Sequence, residues 1–162
     1  MSQTPIVPHV NAEFLLWLLL ESSLRPTELS RRIDGDLWVA ERIAFRNPTE
    51  TKPQVVLTGE NPGGSQEALD ALRSGKVISE ISIGLRSGDH EYSATLSGSD
   101  LGIKRLKLPA TLSEGDDAQV YDRAYLYEQF TGTLQRAFQA YAEDRTDARS
   151  FRRRVSDWLA VD

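Results

Sequence analysis

The sequence predicts an α+β domain built on a mainly antiparallel sheet of about five strands. Three observations lead to this fold class. Residues 75–109 contain three strand-like segments joined by tight turns, residues 12–22 form an almost wholly apolar helical segment, and apolar residues recur every three or four positions after residue 116. We therefore expect the sheet to be covered by an N-terminal apolar helix, a short central helix and a long C-terminal helix.

The first predicted helix spans about residues 12–22, with Asn11 as its N-cap and with Val10 and Leu15 as a hydrophobic staple. The preceding residues are expected to be irregular. Apolar side chains surround this helix: Phe14, Leu15, Leu16, Trp17, Leu18, Leu19 and Leu20. A helix without a polar face is normally buried on several sides. It is either the central core helix, which is the commoner case, or a helix that a partner subunit partly covers.

A hairpin and a short helix are predicted in the middle of the chain. Residues 26–32 favour a helical turn, and residues 37–45 and 54–58 alternate as two strands joined by a long polar loop. Ser65 is placed to cap the next helix, and Gly75 is placed to end it. The inward stripe of that helix is Ala68, Leu69 and Leu72.

Three consecutive antiparallel strands are predicted between Gly75 and Pro109. Apolar side chains alternate along the first two: Ile81, Ile83, Leu85, Tyr92, Ala94 and Leu96. The intervening turns, at residues 87–89 and 98–100, supply the Gly, Ser and Asp that tight reversals need. This meander is expected to carry one buried face.

The C-terminal part predicts a long helix with Asp116 as N-cap and Gln119 as its capping-box partner. Its predicted apolar stripe is Val120, Ala124, Tyr127, Phe130, Leu134, Phe138 and Tyr141. A polar hinge over residues 144–150 leads to a short helix with the stripe Phe151, Val155, Trp158 and Leu159. We predict one α+β domain over residues 1–143, followed by the hinge and an amphipathic helix over residues 144–162.

Composition indicates a globular protein of the cytoplasm. The chain has 162 residues, of which 40% are apolar and 27% charged, and it has no cysteine, which excludes disulfides and thiolate metal sites. Its longest apolar run, residues 14–20, is far shorter than the ~20 residues of a membrane span, and no cationic segment precedes that run. The net charge of −5 argues against binding nucleic acid by bulk electrostatics, although a local basic patch suffices to contact phosphates.

No motif in the sequence specifies an enzyme. The two histidines, His9 and His90, are far apart in sequence and no pattern brings them together. The serines in turns, Ser87, Ser97 and Ser99, lack the Gly-x-Ser-x-Gly context of a nucleophile. We therefore expect a non-enzymatic protein with no cofactor and no metal site.

A basic strand is the first candidate binding surface. It contains Lys104, Arg105 and Lys107, and Arg73 and Lys76 end the helix that leads into the sheet. Regular alternation puts Lys104 on one face of the strand and Arg105 with Lys107 on the other. Lysine on an edge strand also discourages pairing between sheets, and the pattern alone favours this protective role over phosphate contact.

Three arginines and two apolar segments are the remaining candidates. Arg152, Arg153 and Arg154 lie near Trp158, an arrangement that can grip a phosphate backbone or stack on a base. The alternative, which the pattern favours, is the solvated face of a docked helix. For a homodimer interface the candidates are Phe14, Trp17, Leu18, Phe151 and Trp158.

The order of these segments resembles the C-terminal part of the RdgC family of recombination-associated proteins. Residues 13–22, Glu-Phe-Leu-Leu-Trp-Leu-Leu-Leu-Glu-Ser, are similar to the family's Phe-Leu-Thr-Trp-Leu segment, with Leu16 in place of threonine. A helix ending in Gly75-Lys76, a hairpin and a strand of sequence Lys-Arg-Leu-Lys-Leu-Pro then follow in the family's order. The resemblance covers about residues 12–143.

This resemblance implies a non-enzymatic homodimer that forms a ring, binds duplex DNA without sequence preference and restrains the recombinase RecA. The chain is much shorter than the usual family member. Gly59-Glu60-Asn61 also stands where relatives carry basic and amide side chains that face DNA. The leading hypothesis is a sequence-independent duplex DNA-binding protein linked to recombination. The alternative is a protein-interaction or assembly subunit that keeps the fold without binding DNA.

Overall fold

A computed structural model of the chain confirms the α+β fold class. It describes residues 6–98, 102–110 and 115–160, with the backbone alone for residues 6–11. The strands are β1 (Asp36–Arg46), β2 (Val55–Thr58), β3 (Val77–Ser87), β4 (His90–Ser97) and β5 (Ile103–Lys107). The helices are α1 (Ile6–Leu24), α2 (Pro26–Ile33), α3 (Gln66–Arg73), α4 (Asp116–Arg145) and α5 (Ala148–Ala160), and a short 3-10 turn, Pro62–Gly64, precedes α3.

The five strands form one antiparallel sheet in the order β2-β1-β3-β4-β5. The β1–β2 hairpin and the β3–β4–β5 meander are therefore both confirmed. The first turn of the meander places Gly88 at a φ of 61°, a conformation that glycine adopts without strain. The second turn lies mostly outside the described residues. β1 is irregular after Val39, where Glu41 has a φ of 51°.

Helix α1 forms the centre of the hydrophobic core. It packs on β1 and β3 and contacts α2 and α4, so Phe14, Trp17 and Leu18 are all buried. The inward side chains of the sheet belong to the same core: Ile43, Phe45, Ile78, Ile81, Ile83, Leu85, Tyr92, Ala94 and Leu96. The interpretation of this segment as the core helix is confirmed. The assignment of Phe14, Trp17 and Leu18 to a dimer interface is corrected, because the chain's own elements enclose them.

Every described helix lies on the same side of the sheet. α4 reaches β4, where the rings of Phe130 and Tyr92 are 5.8 Å apart. α2 is joined to α4 by Arg136, whose Nε donates to the Ile33 carbonyl at 2.8 Å. The Pro62–Gly64 turn lies against Leu19 of α1. The opposite face of the sheet therefore carries no helix in the described part of the chain.

The three predicted N-caps have different outcomes. Ser65 caps α3 as predicted, because its Oγ accepts from the Ala68 N–H at 3.2 Å. Asn11 is not a cap, since α1 begins at Ile6. Pro8 lies in the first turn of α1, where a backbone nitrogen has no hydrogen-bond acceptor within the helix, so the proline there costs the helix no hydrogen bond. Asp116 is the first helical residue of α4, after Gly115, and no side chain caps that helix. The side chain of Val10, and with it the predicted staple, lies outside the described residues.

The predicted stripe of α4 is correct only in its second half. Phe130 and Tyr141 are buried, but Val120 is 64% exposed and Ala124 and Tyr127 are also exposed. The buried residues of α4 are Leu126, Phe130, Thr133, Ala137, Ala140 and Tyr141. Small side chains at this contact allow α4 to approach closely, which a search for large apolar residues misses. No residue of α4 before Leu126 is buried, so its first turns project beyond the core.

Helix α5 docks on the rest of the chain after a break of two residues, Thr146 and Asp147. The polar hinge is therefore shorter than predicted, because the rest of residues 144–150 belong to α4 and α5. Phe151 is buried, and Val155, Trp158 and Leu159 are partly buried against the protein. The predicted stripe of α5 is confirmed. The proposed role of Phe151 in a dimer interface is corrected, since this ring already fills a site in its own chain.

An ion-pair network fixes α5 to α1 and α4. Arg154 of α5 donates to Glu21 at 2.6 Å, and its other terminal nitrogen lies 3.6 Å from Asp144. Asp144 also accepts from Arg32 at 2.9 Å and from the Trp17 indole N–H at 2.8 Å. Burial raises the pKa of Asp144, but the hydrogen bonds from Arg32 and Trp17 outweigh this effect and hold the pKa below its ordinary value.

The depressed pKa of Asp144 predicts a loss of stability in acid. A carboxyl whose folded pKa is lowered contributes stability that is fully present above its ordinary pKa of 3.8 and lost as pH falls through the folded value. Asp144→Asn should therefore lower the free energy of unfolding at neutral pH and flatten its dependence on pH below about 5. Urea unfolding at a series of pH values measures both effects, with Asp157→Asn as control. Equal acid dependence in Asp144→Asn and wild type would contradict this account.

Candidate nucleic-acid interface

A bulge in β5 brings its cationic side chains onto the open face of the sheet, which is the face that no described helix covers. Lys107 pairs with Ser93 and Lys104 pairs with Thr95, so one extra residue of β5 lies between these pairs. Arg105 occupies this bulge with a φ of 52°. Cross-strand partners point to the same face, and Ser93 and Thr95 point away from the core. The prediction that the charges are split between the faces is therefore wrong, because it assumed regular alternation.

Some of the cationic side chains on the open face already form ion pairs with a carboxylate, and others do not. Lys104 forms an ion pair with Glu80 at 2.9 Å, and Arg42 of β1 contacts the same carboxylate from the other side. Burial raises the pKa of Glu80, but these two hydrogen bonds outweigh it and the pKa is lowered. Arg105 and Lys107 are exposed, and neither forms an ion pair with a carboxylate of the described residues.

The centre of the open face is polar and made of small side chains. Ser82 and Thr95 share a hydrogen bond of 3.1 Å across β3 and β4. Together with Ser93 and Glu41 they line a groove of about 160 Å³ that Arg105 and Lys107 border. A second groove, of about 270 Å³, runs from Lys107 to Trp38 of β1. The surface can therefore meet a polar ligand without steric obstruction from any described helix.

Arg73 and Lys76 do not join this face. The Arg73 guanidinium donates to the Leu159 carbonyl at 2.5 Å and lies 3.7 Å from Asp70, so it packs between α3 and α5 on the helical side. Lys76 is half-buried just before β3 and donates to Ser74 at 3.3 Å. Both side chains therefore bind groups of the protein close to them and are not part of the open face.

The three consecutive arginines have different environments. Arg154 neutralises Glu21, which is only 1% exposed, so it belongs to the ion-pair network described above. Arg152 and Arg153 are exposed on α5, and Arg152 donates back to the Ala148 carbonyl of its own helix. All three are on the helical side of the sheet and cannot share a short ligand with the β5 cations. Trp158 is half-buried beside Arg154 and Leu24.

Two side chains of the open face were absent from the sequence-based candidates. Arg42 and Trp38 belong to the outward positions of β1, a pattern that the sequence displays. Their proximity to β3 and β4 depends on strand order, which alternation along one strand does not contain. The sequence therefore indicated on which face of the sheet Arg42 and Trp38 lie, but not which residues of other strands lie near them.

A larger groove, of about 550 Å³, lies between β4 and α4, near the β3–β4 turn. Asp89, His90, Asp122 and Tyr125 contribute to its lining. His90 Nδ1 is 3.0 Å from the Gln129 side-chain oxygen, to which the Tyr92 hydroxyl also donates. Within the described ranges, no three histidine, aspartate or glutamate side chains are close enough together to hold a metal ion. This groove therefore has fewer features of a binding site than the open face.

Comparisons with known proteins leave the chain unassigned. No protein-family model matches it, and no curated protein shows significant similarity to it. Among the described residues, no helix combines the length and hydropathy that a membrane crossing requires.

The environments of the consecutive arginines lead to a stability prediction. Arg154→Ala should lower the free energy of unfolding by about 3 kcal/mol, because it leaves the buried Glu21 carboxylate with only Arg25, at 3.2 Å, as an ion-pair partner among the described residues. Arg153→Ala removes the same charge from an exposed position and should cost less than about 0.5 kcal/mol. Urea unfolding of both variants checks the difference. Similar losses would show that Arg154 does not anchor α5.

Proposed function

We propose that this chain is a non-enzymatic protein that binds the backbone of duplex DNA, without sequence preference, through the open face of its sheet. The observation that carries the proposal is the bulge at Arg105, which gathers Lys104, Arg105 and Lys107 on a face that no described helix covers. Cationic side chains on an accessible surface supply the sequence-independent part of DNA affinity.

The spacing of the lysines suits a phosphate backbone. Lys104 and Lys107 oppose Thr95 and Ser93, which are two residues apart and therefore about 7 Å from each other along β4. This separation lets two lysines contact neighbouring phosphates of one strand. Because the centre of the face presents small hydroxyl side chains, it offers few groups long enough to read base edges in a groove.

The acidic character of the chain limits the affinity without preventing the contact. Glu80 competes with phosphate for Lys104, and the net charge of −5 opposes an approaching polyanion at long range. Glu60 follows β2, which is the edge of the sheet opposite β5, so its charge is remote from the proposed contact. We therefore propose weak, strongly salt-dependent binding in the cytoplasm, on nucleoid DNA, with the link to recombination that resemblance to the RdgC family implies.

A protein-interaction role is the second candidate, and the projecting first turns of α4 favour it. Tyr121 is 76% exposed, and Val120, Tyr125 and Tyr127 are exposed on the same segment. Exposed aromatic side chains at this density are typical of contact surfaces between proteins. A homodimer formed through this segment would dissociate on Tyr121→Ser with Tyr125→Ser in light scattering. A wild-type chain that is monomeric at all concentrations would remove the homodimer from consideration.

The DNA proposal predicts a specific loss of binding. Lys104→Glu with Lys107→Glu should weaken duplex binding about tenfold or more and reduce the salt dependence, because two phosphate contacts are removed. The measurement is fluorescence anisotropy with a short labelled duplex at salt concentrations between about 50 and 200 mM. Arg152→Glu with Arg153→Glu is the matched control, since it changes the net charge equally on the helical side.

A further variant tests the opposite direction. Glu80→Gln removes the carboxylate that pairs with Lys104 and Arg42, so it should raise duplex affinity and steepen the salt dependence by about one phosphate contact.

Two outcomes would contradict the DNA proposal. If Lys104→Glu with Lys107→Glu and Arg152→Glu with Arg153→Glu weaken duplex binding equally, binding depends on net charge alone. If the wild-type protein at micromolar concentration and low salt does not change the anisotropy of the labelled duplex, the proposal is refuted.

A further inference from the structure

The indole of Trp38 lies against the backbone of Gly84 on the open face. The two residues are register partners on β1 and β3, and a Cβ at position 84 would come within 2.2 Å of the indole Cε2 atom. Any larger residue would push the ring away from the sheet. The glycine thus allows the ring to sit directly on the backbone, while 36% of the Trp38 surface remains exposed.

The surroundings of Trp38 combine an aromatic surface with nearby positive charge. Trp38 and Lys107 line opposite parts of the 270 Å³ groove, and Ser93 and Leu108 also contribute to its lining. Arg105 borders the adjoining groove. An exposed tryptophan that shares a surface with two cations, neither paired with a described carboxylate, is an arrangement that proteins use to hold single-stranded nucleic acid.

Two carboxylates, Glu41 and Glu91, lie near Trp38. Glu91 is engaged by Arg86 at 3.1 Å, whereas Glu41 is exposed and forms no ion pair with the described residues. Both glutamates line the groove beside Trp38, and Glu41 also lines the adjoining groove that Arg105 and Lys107 border. A phosphate placed next to Glu91 would be repelled, but a neutral base would not. The favourable arrangement has a base on Trp38 and the phosphates toward Arg105 and Lys107, whose two positive charges outnumber the single carboxylate of Glu41.

We propose that Trp38, seated on Gly84, is a stacking site for one unpaired base, so that the open face binds single-stranded DNA more tightly than duplex DNA. This inference depends on the proposed function, because Arg105 and Lys107 supply the backbone contact in both cases. Stacking is available only to a base that is not enclosed between its neighbours in a duplex. Trp38 thus adds a contact that the lysines alone do not provide.

The experiment compares three probes on variants of the full chain. The probes are a short oligothymidylate, a duplex of the same length, and a single strand of the same length that is wholly abasic. Trp38→Leu keeps an apolar cover on Gly84 but removes the aromatic face, and Trp38→Phe retains one aromatic ring. Circular dichroism and thermal unfolding check that both variants keep the wild-type fold.

Stacking and charge predict different results in this comparison. Trp38→Leu should weaken oligothymidylate binding about tenfold and change duplex binding less than about twofold, with Trp38→Phe between Trp38→Leu and wild type. The abasic strand should bind wild type and Trp38→Leu equally. Lys107→Glu should weaken the binding of all three probes.

Each contrary outcome has a distinct meaning. If Trp38→Leu has the same effect on oligothymidylate as on duplex or abasic DNA, the stacking site is refuted while the backbone proposal stands. Tighter binding of duplex than of oligothymidylate by wild type would also refute it. If wild type binds none of the probes at low salt, the proposed function and this inference fall together.

Discussion

The burial of α1 over residues 12–21 is the constraint on which the rest of this structure depends. A helix with apolar side chains around its whole circumference needs cover from several elements at once. β1 and β3 cover one side, and α2, α4 and the Pro62–Gly64 turn lie against others. Because the described helices are thereby assembled on one side, the other face of the sheet is left open. The exposed surface proposed to bind DNA follows from how the core is closed.

Local signals made much of the fold predictable from sequence. The β3–β4 hairpin is specified by alternation and a glycine turn, and α3 by a serine cap and a terminal glycine, all of which act between residues close in sequence. Asn11 and Asp116 carry the same kind of signal and do not cap, because residues before them extend or replace the helix end. The stripe of α4 was wrong where the helix leaves the core, since periodicity does not say where a covering sheet stops.

The candidate site was less predictable because its residues meet through pairing between strands. The sequence identified the three cations of β5, but an alternating pattern could not reveal the extra residue at Arg105. Arg154 resembled its two neighbours in sequence and differs from them through carboxylates of α1 and α4, of which Glu21 of α1 is far away along the chain. Trp38 and Gly84 depend on the register of β1 against β3. In each case the missing information was long-range, and propensity and periodicity describe neighbours in sequence only.

The extra residue in β5 makes the electrostatic footprint of this protein depend on strand length as well as on composition. Deleting a single position there would restore strict pleating and turn one cation toward the core, although the overall charge pattern would scarcely differ. In comparing diverged sequences of this fold, a gap in β5 should therefore carry more weight than an exchange of lysine for arginine.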